Sequence, residues 1–284
     1  MLAPPQLRTP PGAWDTHLHV FDPRFPIRVN SVFQPPVATA RDYAAVQRRL
    51  GTERALVVQS SAHGTNHAGL LDAIATLGPG ARGIGMVGAG VSDAELRRLT
   101  RGGVRGARFL MVPGGVLSWD ELEPLATRIQ EVGWHCNLQL DGHELAERAD
   151  LIARLPGQVI IDHLGMFGRP VRGDHPSVLA LLRLLNNGRV WVKLSAPYAG
   201  GGMGEPPYLA AGTLARILVR HAPERLMWGS NWPHPFTTQV RGLPAEDDAM
   251  LLDLLLDWTE DAHIRQRILV DNPAALFGTG PVPV

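Results

Sequence analysis

Two histidines separated by one residue, His17 and His19, stand in the stretch Ala13-Trp14-Asp15-Thr16-His17-Leu18-His19-Val20-Phe21. In an extended strand, side chains two apart point to one face. Both imidazoles therefore project together, while Leu18 and Val20 pack on the other side. Such a pair can share a metal ion or jointly polarise one oxygen of a substrate. The plain alternative is a pair of hydrogen-bonded strand histidines. Other groups able to do chemistry recur along the chain: Ser60-Ser61-Ala62-His63, Arg108, Gln139 with Asp141, Asp162-His163, Ser195 with Tyr198, and Ser230-Asn231-Trp232-Pro233-His234. They are acids, bases, amides and one carboxylate-binding guanidinium. Their joint chemistry depends on whether the fold gathers them.

The elements that must position them alternate steadily. Strand patterns follow the His-x-His segment at 54–59, 82–87, 104–111, 133–140, 158–164, 189–195 and 225–232. The continuous apolar run at 54–59 suits a parallel sheet covered on both faces. Helical patterns lie between the strands. One has Thr39 or Asp42 near its cap, one spans 67–77, and two open on capping boxes at Ser92-Asp93-Ala94-Glu95 and Ser118-Trp119-Asp120-Glu121. Others end near 155, span 176–185 and 207–221, and fill 246–270. Eight strand–helix units in about 260 residues is the count of a closed (β/α)8 TIM barrel. We expect one such domain over residues 13–280, behind an N-terminal arm of residues 1–12. A doubly wound open sheet is the runner-up, but the G-x-G-x-x-G fingerprint is absent after the first strand. In a barrel the chemistry sits at the C-terminal ends of the strands. The polar groups named above fall at those ends on seven strands.

Composition narrows the class. Basic and acidic residues balance at 27 each, so no nucleic-acid or anionic-membrane partner is expected. No apolar run approaches the roughly 20 residues that span a bilayer. The lead-in MLAPPQLRTPPGAW lacks the apolar core of a secretory signal. Cys136 is the single cysteine, which rules out an internal disulfide and fits a reducing cytoplasm. The expected partner is a small-molecule substrate, and self-association into a homo-oligomer stays open. Trp14, Trp134, Trp191 and Trp228 read as packing residues and Cys136 as a small buried hydrophobe. His175, His221 and His263 read as surface residues on helices. His143, Asp141 and Asp15 stay open.

The stretches Trp14–Phe21, Val58–Gly64, Val104–Phe109, Ile161–Gly165, Met227–Pro235 and Asp271–Gly278 resemble the amidohydrolase superfamily. The resemblance is to the branch of 2-pyrone-4,6-dicarboxylate lactonase and related sugar-lactone hydrolases and isomerases, and it covers nearly the whole chain. It implies a hydrolase that opens a cyclic ester. His17, His19 and His163 would polarise the carbonyl, and a strand-eight aspartate would activate water as general base. The pyrone lactonase requires no metal. Metal-dependent relatives place Zn²⁺ or Mn²⁺ on the same histidines, usually with a strand-five histidine or a lysine from strand four or five. Here strand five offers Gln139, His135 lies near its opposite end, and Lys193, the single lysine, is on strand seven. No cofactor is therefore expected. A metal, if bound, would be Zn or Mn on His17, His19 and His163.

The chain departs from the family pattern in two ways. Asn231 stands where the family has aspartate in Trp-Gly-Thr-Asp-Trp-Pro-His, and an amide accepts no proton at neutral pH. Three readings stay open. Asn231 is an inactivating replacement in a protein whose natural residue is aspartate; or it is natural, with His163 or His63 as base; or hydrolysis has given way to binding, isomerisation or decarboxylation. Secondly, Arg108 matches one carboxylate-binding arginine of the family, but Gly114 takes the place of another, and no arginine occurs between 196 and 206. Gln139 replaces a tyrosine. Because arginine is the residue of bidentate carboxylate capture, the substrate is expected to carry one carboxylate or none. Ser61, His63, Arg108, Gln139, Tyr198 and His234 are the expected substrate contacts, with the Gly-rich loop 198–204 as a lid. The rivals to a lactonase are a lactone isomerase, a metal-dependent carboxy-lyase and a non-catalytic small-molecule binding protein.

Overall fold

The computed structural model describes residues 3–29, 31, 34–112, 117–199, 208–235, 237–238 and 245–280. Eight strands run parallel in the order of the sequence: β1 Trp14–Leu18, β2 Arg54–Val58, β3 Ala81–Gly85, β4 Val104–Leu110, β5 His135–Gln139, β6 Val159–Ile161, β7 Val190–Ser195 and β8 Leu226–Gly229. The ring closes from β8 back to β1. Thr16 Oγ1 donates to Trp228 O at 2.7 Å, and just beyond β8, Asn231 N donates to His17 O at 2.7 Å. His19 N completes the seam on Trp232 O at 2.8 Å. This is the expected single-domain (β/α)8 barrel.

Between and after the strands lie α1 Ala40–Leu50, α2 Ala68–Leu77, α3 Asp93–Arg101, α4 Trp119–Gln130, α5 Leu145–Arg154, α6 Pro176–Asn186 and α7 Leu209–His221. Then come α8 Asp248–Trp258, the short α9 Ala262–Gln266, a π-turn at Arg267–Asp271 and α10 Asn272–Phe277. The box at Ser118 forms, with Ser118 N and Oγ both donating to Glu121. The Ser92 box closes on one side only. Ser92 Oγ accepts from Glu95 N, but the Glu95 carboxylate turns to Arg98. At α1, where the sequence places Thr39 or Asp42 near the cap, Thr39 is the N-cap and the two residues form a reciprocal box. His175 is the N-cap of α6, accepting from Ser177 N, rather than a helical surface residue. His221 and His263 are exposed as expected.

Two apolar layers hold the barrel. A large cluster fills the space between strands and helices and includes Trp134, Cys136 and Trp228. A small inner cluster plugs the barrel's N-terminal end, where Trp14, Leu56, Ile160, Trp191 and Met227 meet Phe277 of α10. Each fully buried aliphatic side chain in these layers contributes about 1.5–3 kcal/mol by leaving water. His135 belongs to this floor. Its Nε2 lies 2.8 Å from Leu276 O, at the opposite end of β5 from the polar groups. Residues 6 and 7 of the N-terminal arm dock on α8, their amides donating to the Asp253 carboxylate.

β6 and β8 each stop three residues before their sequence patterns end. β6 ends at Ile161, and His163, Leu164 and Met166 follow with φ of 56°, 55° and 50°. β8 ends at Gly229, and Asn231 and His234 follow with φ of 63° and 60°. Left-handed backbone at residues with a Cβ is sparsely populated and clusters at functional sites. Here it takes His163, Asn231 and His234 out of the sheet at one rim.

Candidate active site

His17, His19 and His163 come together at the C-terminal rim. The His17 ring centroid lies 4.5 Å from that of His163 and 5.0 Å from that of His19. A bulge makes this possible. The β1–β2 register slips between Asp15 and Leu18, so β1 carries one extra residue there. Trp14 can then face the floor while His17 and His19, three and five residues on, face the rim. Gly229 completes the approach, because a Cβ there would fall 2.7 Å from the His17 Cβ.

Below His17 lies a buried ion pair. Asp162 Oδ1 is 3.1 Å from Lys193 Nζ, 3.2 Å from Asn137 Nδ2 and 3.4 Å from His17 Nδ1. Burial alone would raise the Asp162 carboxyl, but the Lys193 ammonium overrides this and holds it well below the usual carboxylate range. Burial lowers the Lys193 ammonium against the pull of Asp162. Lys193 Nζ also hydrogen-bonds His17 Nδ1 at 3.3 Å. His17 Nδ1 thus lies between a donor, the Lys193 ammonium, and an acceptor, the Asp162 carboxylate; accepting from Lys193 leaves the ring proton on Nε2, and donating to Asp162 leaves Nε2 bare. Burial first, and then the Lys193 charge, hold His17 well below its ordinary pKa. The ring is neutral.

The other two histidines are set differently. His19 Nδ1 lies 2.7 Å from Val58 O and must donate to that carbonyl, which leaves Nε2 with a lone pair. Burial, with Arg108 nearby, lowers its pKa to about 3. His163 Nδ1 bonds Ser195 Oγ at 2.8 Å, and burial lowers its pKa to about 4. The described contacts of the Asp162 carboxylate are Lys193, Asn137 and His17, not the neighbouring His163 ring. Ser195 orients His163.

Arg108 is buried beside this cluster. Its Nη1 donates to Gln59 O at 3.0 Å and its Nη2 to Gln139 Oε1 at 2.6 Å. Asn231, Tyr198 and His234 form one chain: Asn231 Nδ2 donates to Tyr198 Oη at 2.9 Å, and that hydroxyl lies 2.7 Å from His234 Nδ1. His234 Nε2 is 3.0 Å from Asp248 Oδ1 on α8. Several buried polar atoms of this rim have no partner among the described residues: His17 Nε2, Asn137 Oδ1, Asp162 Oδ2, Arg108 Nε and Asn231 Oδ1. Buried polar groups are normally paired, so these five atoms offer unspent hydrogen-bonding capacity to a polar ligand.

Ser61 opens a 3-10 turn after β2 and is half-buried. His63 is drawn into the loop after β1. It stacks on Phe21 with centroids 5.9 Å apart, and its ring nitrogens lie 3.4 and 3.5 Å from Val20 O and Pro26 O. Phe21 thus stands between His63 and His19. Asp141 caps a 3-10 turn through His143 N, and His143 packs edge-on against Phe167 and His175. Gly114 and residues 200–207, which include most of the expected lid, lie outside the described residues. Sequence reading left Lys193, Asn137 and Asp248 out of the site. The available signal was parity: Asn137 precedes Gln139 by two, and Lys193 precedes Ser195 by two, on the same strand faces.

The sequence profile of the family described as Amidohydrolase matches residues 14–279. The chain belongs to the amidohydrolase family. It is 33% identical over 275 residues to a D-galactarolactone isomerase of Agrobacterium fabrum, covering 96% of this chain and 93% of the relative. It is 34% identical over 285 residues to a 2-pyrone-4,6-dicarboxylate hydrolase of Comamonas testosteroni, covering 96% and 92%. An apo crystal structure from Agrobacterium tumefaciens superposes with a TM-score of 0.90 at 32% identity, covering 98% of this chain and all of that one. No helix among the described residues is long and apolar enough to cross a membrane.

Metal-dependent amidohydrolases would use this same rim. His17, Asp162 and His163 offer ligand atoms within 4.8 Å of one another. The remaining chemistry of this amidohydrolase does not fit a divalent cation there. Lys193 already neutralises Asp162, and Arg108 adds a second buried positive charge. A metal would bring two more positive charges against the buried Lys193 and Arg108 cations, which Asp162 and Asp15 offset, in a low-dielectric interior where like charges repel strongly.

Proposed function

We propose that this amidohydrolase opens the ester bond of a small lactone and needs no metal to do so. The observation that carries the reading is the buried His17 Nε2, which has no partner among the described residues and acts as a donor when Nδ1 accepts from Lys193. That N–H faces the role of an oxyanion-type hydrogen bond to a lactone carbonyl, preorganised in a site shielded from water. Arg108 Nε–H supplies a second unspent donor for a carbonyl or carboxylate oxygen. His19 contributes the opposite property. Its Nε2 lone pair, kept free by burial and by the Val58 contact, can take a proton from the nucleophile.

The step is a simple addition and elimination. The oxygen of water adds to the carbonyl carbon and gives its proton to His19 Nε2. The ring carbon–oxygen bond then breaks, and the same proton passes to the departing alkoxide. One water is consumed and a hydroxy acid is released. Two of the three arginines that the dicarboxylate pattern uses are missing from this chain. The substrate therefore carries one free carboxylate or none.

A second reading is favoured by Asn231. Its amide can orient a hydroxyl but cannot remove a proton, which weakens activation of free water. A substrate hydroxyl held beside the carbonyl meets a lower entropic barrier than water does. The acyl group would then move between two oxygens of one molecule, giving lactone isomerisation. D-galactarolactone and 2-pyrone-4,6-dicarboxylate, incubated with the enzyme in oxygen-18 water, separate the outcomes. Hydrolysis places one heavy oxygen in the product carboxylate, and isomerisation changes the ring without label. If neither lactone, nor a wider set of mono-carboxylated and neutral lactones, is consumed, the reading is wrong.

A further inference from the structure

Asp248, His234 and Tyr198 form a line of hydrogen bonds that ends on Asn231, and its direction can be derived from one end. The Asp248 carboxylate has acceptors only. His234 Nε2, 3.0 Å away, must therefore carry the ring proton. In the neutral ring Nδ1 is then an acceptor and takes the Tyr198 hydroxyl proton across 2.7 Å. The Tyr198 oxygen is left as an acceptor. Asn231 must then present Nδ2, as it does at 2.9 Å, and not its carbonyl. His234 and Tyr198 are almost fully buried, at 1% exposure each, so water does not compete for these bonds.

We infer that Asp248, His234 and Tyr198 are a positioning relay that fixes the amide of Asn231 with Oδ1 free to accept a hydrogen bond from the attacking hydroxyl. His234 and Tyr198, which the sequence pattern places among substrate contacts, act through Asn231 instead. The relay accounts for two facts together. Asn231 Oδ1 is buried without a partner, and the backbone at Asn231 and His234 is left-handed, which holds both side chains at the rim. An amide has a right and a wrong orientation, and the wrong one turns the NH₂ group toward the nucleophile. A carboxylate at the same place has two equivalent oxygens and needs no such fixing.

This difference supplies the test, which rests in its kinetic arm on the lactone reading. Tyr198→Phe removes the hydroxyl that reads the amide. With Asn231 present, it should lower kcat on D-galactarolactone about tenfold while KM changes less than about threefold. In the Asn231→Asp background the same substitution should cost less than about threefold, because the carboxylate has no orientation to lose. Equal losses in both backgrounds would show that Tyr198 is merely structural and would overturn the relay. The second arm needs no turnover. In protein labelled with nitrogen-15 at histidine, His234 should show the Nε2–H tautomer, and Asp248→Asn should shift it. A His234 in the Nδ1–H tautomer overturns the relay even if lactones are processed. The Nε2–H tautomer, with its response to Asp248→Asn, sustains the relay even if D-galactarolactone is not the substrate.

Discussion

Lys193 Nζ lies 3.1 Å from Asp162 Oδ1 with both side chains fully buried, and the same ammonium reaches His17 Nδ1 at 3.3 Å. One side chain therefore neutralises a carboxylate in the barrel and also ties that ion pair to a rim histidine.

Removing one partner of a buried ion pair leaves the other charge uncompensated and costs about 3–5 kcal/mol. Lys193→Met should lower the unfolding free energy by about that amount. The double variant Lys193→Met/Asp162→Asn should recover more than half of it, since an uncharged pair has no bare charge to bury. Guanidinium unfolding of the three forms checks this. A Lys193→Met protein within about 1 kcal/mol of the parent would mean that the pair is not formed.

Acid should unfold the protein earlier than its carboxylates alone would suggest. Burial lowers His19 to about 3, His163 to about 4 and His17 well below 6.5. Burial also lowers His67 and His135. The unfolded chain takes up these protons near pH 6.5, so below that pH they favour unfolding. Asp15 works in the other direction. Burial raises it to about 6 against its hydrogen bonds from Ser230, His17 and Tyr43, so the folded protein gains that proton first. The net effect is a stability that falls from pH 6.5 to pH 4 with a slope of at least about two protons. Urea midpoints measured across that range test it, and a flat or rising profile would contradict neutral buried histidines.

His163 is oriented by a single hydroxyl. Ser195→Ala should cut kcat on an accepted lactone about threefold to tenfold, the worth of one hydrogen bond. Ser195→Thr, which keeps the hydroxyl, should restore part of the loss. A variant with unchanged kcat would place His163 outside the chemistry.

Arg108 should discriminate among substrates by charge. Arg108→Met should raise KM about a hundredfold or more for a carboxylated lactone, as loss of a buried charge partner does. For an uncharged lactone of similar size it should change KM much less. Equal effects on both would assign Arg108 to packing with Gln139 rather than to carboxylate recognition.

The barrel could be read in the sequence because its signals are local. Apolar runs of five to seven residues, the capping pattern at Ser118 and the spacing of the units need no knowledge of distant contacts. The rim histidines could be read for the same reason, since His17 and His19 share a strand face and Asp162-His163 sits where a strand ends. What joins them could not. The Lys193–Asp162–His17 cluster unites residues from β7, the end of β6 and β1, and a lone lysine in Val-Trp-Val-Lys-Leu-Ser reads as an interruption rather than a partner. The proton positions on His17 and His19 depend on Lys193 and on the Val58 carbonyl, neither of which is adjacent in the chain. His63 shows the opposite failure. Its place after β2 fits the pattern of rim residues, yet stacking on Phe21 holds it to the loop side.

The central claim is that this rim is a lactone-opening site in which position 231 lacks the carboxylate of the family pattern and His19 serves as a weaker base. Asn231→Asp tests it most directly, with initial hydrolysis rates measured against the parent on D-galactarolactone and 2-pyrone-4,6-dicarboxylate at neutral pH. A carboxylate at that position restores general-base assistance, worth about 10²–10⁴-fold where proton transfer limits the rate. The account predicts at least a tenfold rise in hydrolysis of an accepted lactone. A folded Asn231→Asp protein that hydrolyses no lactone faster than the parent would contradict it.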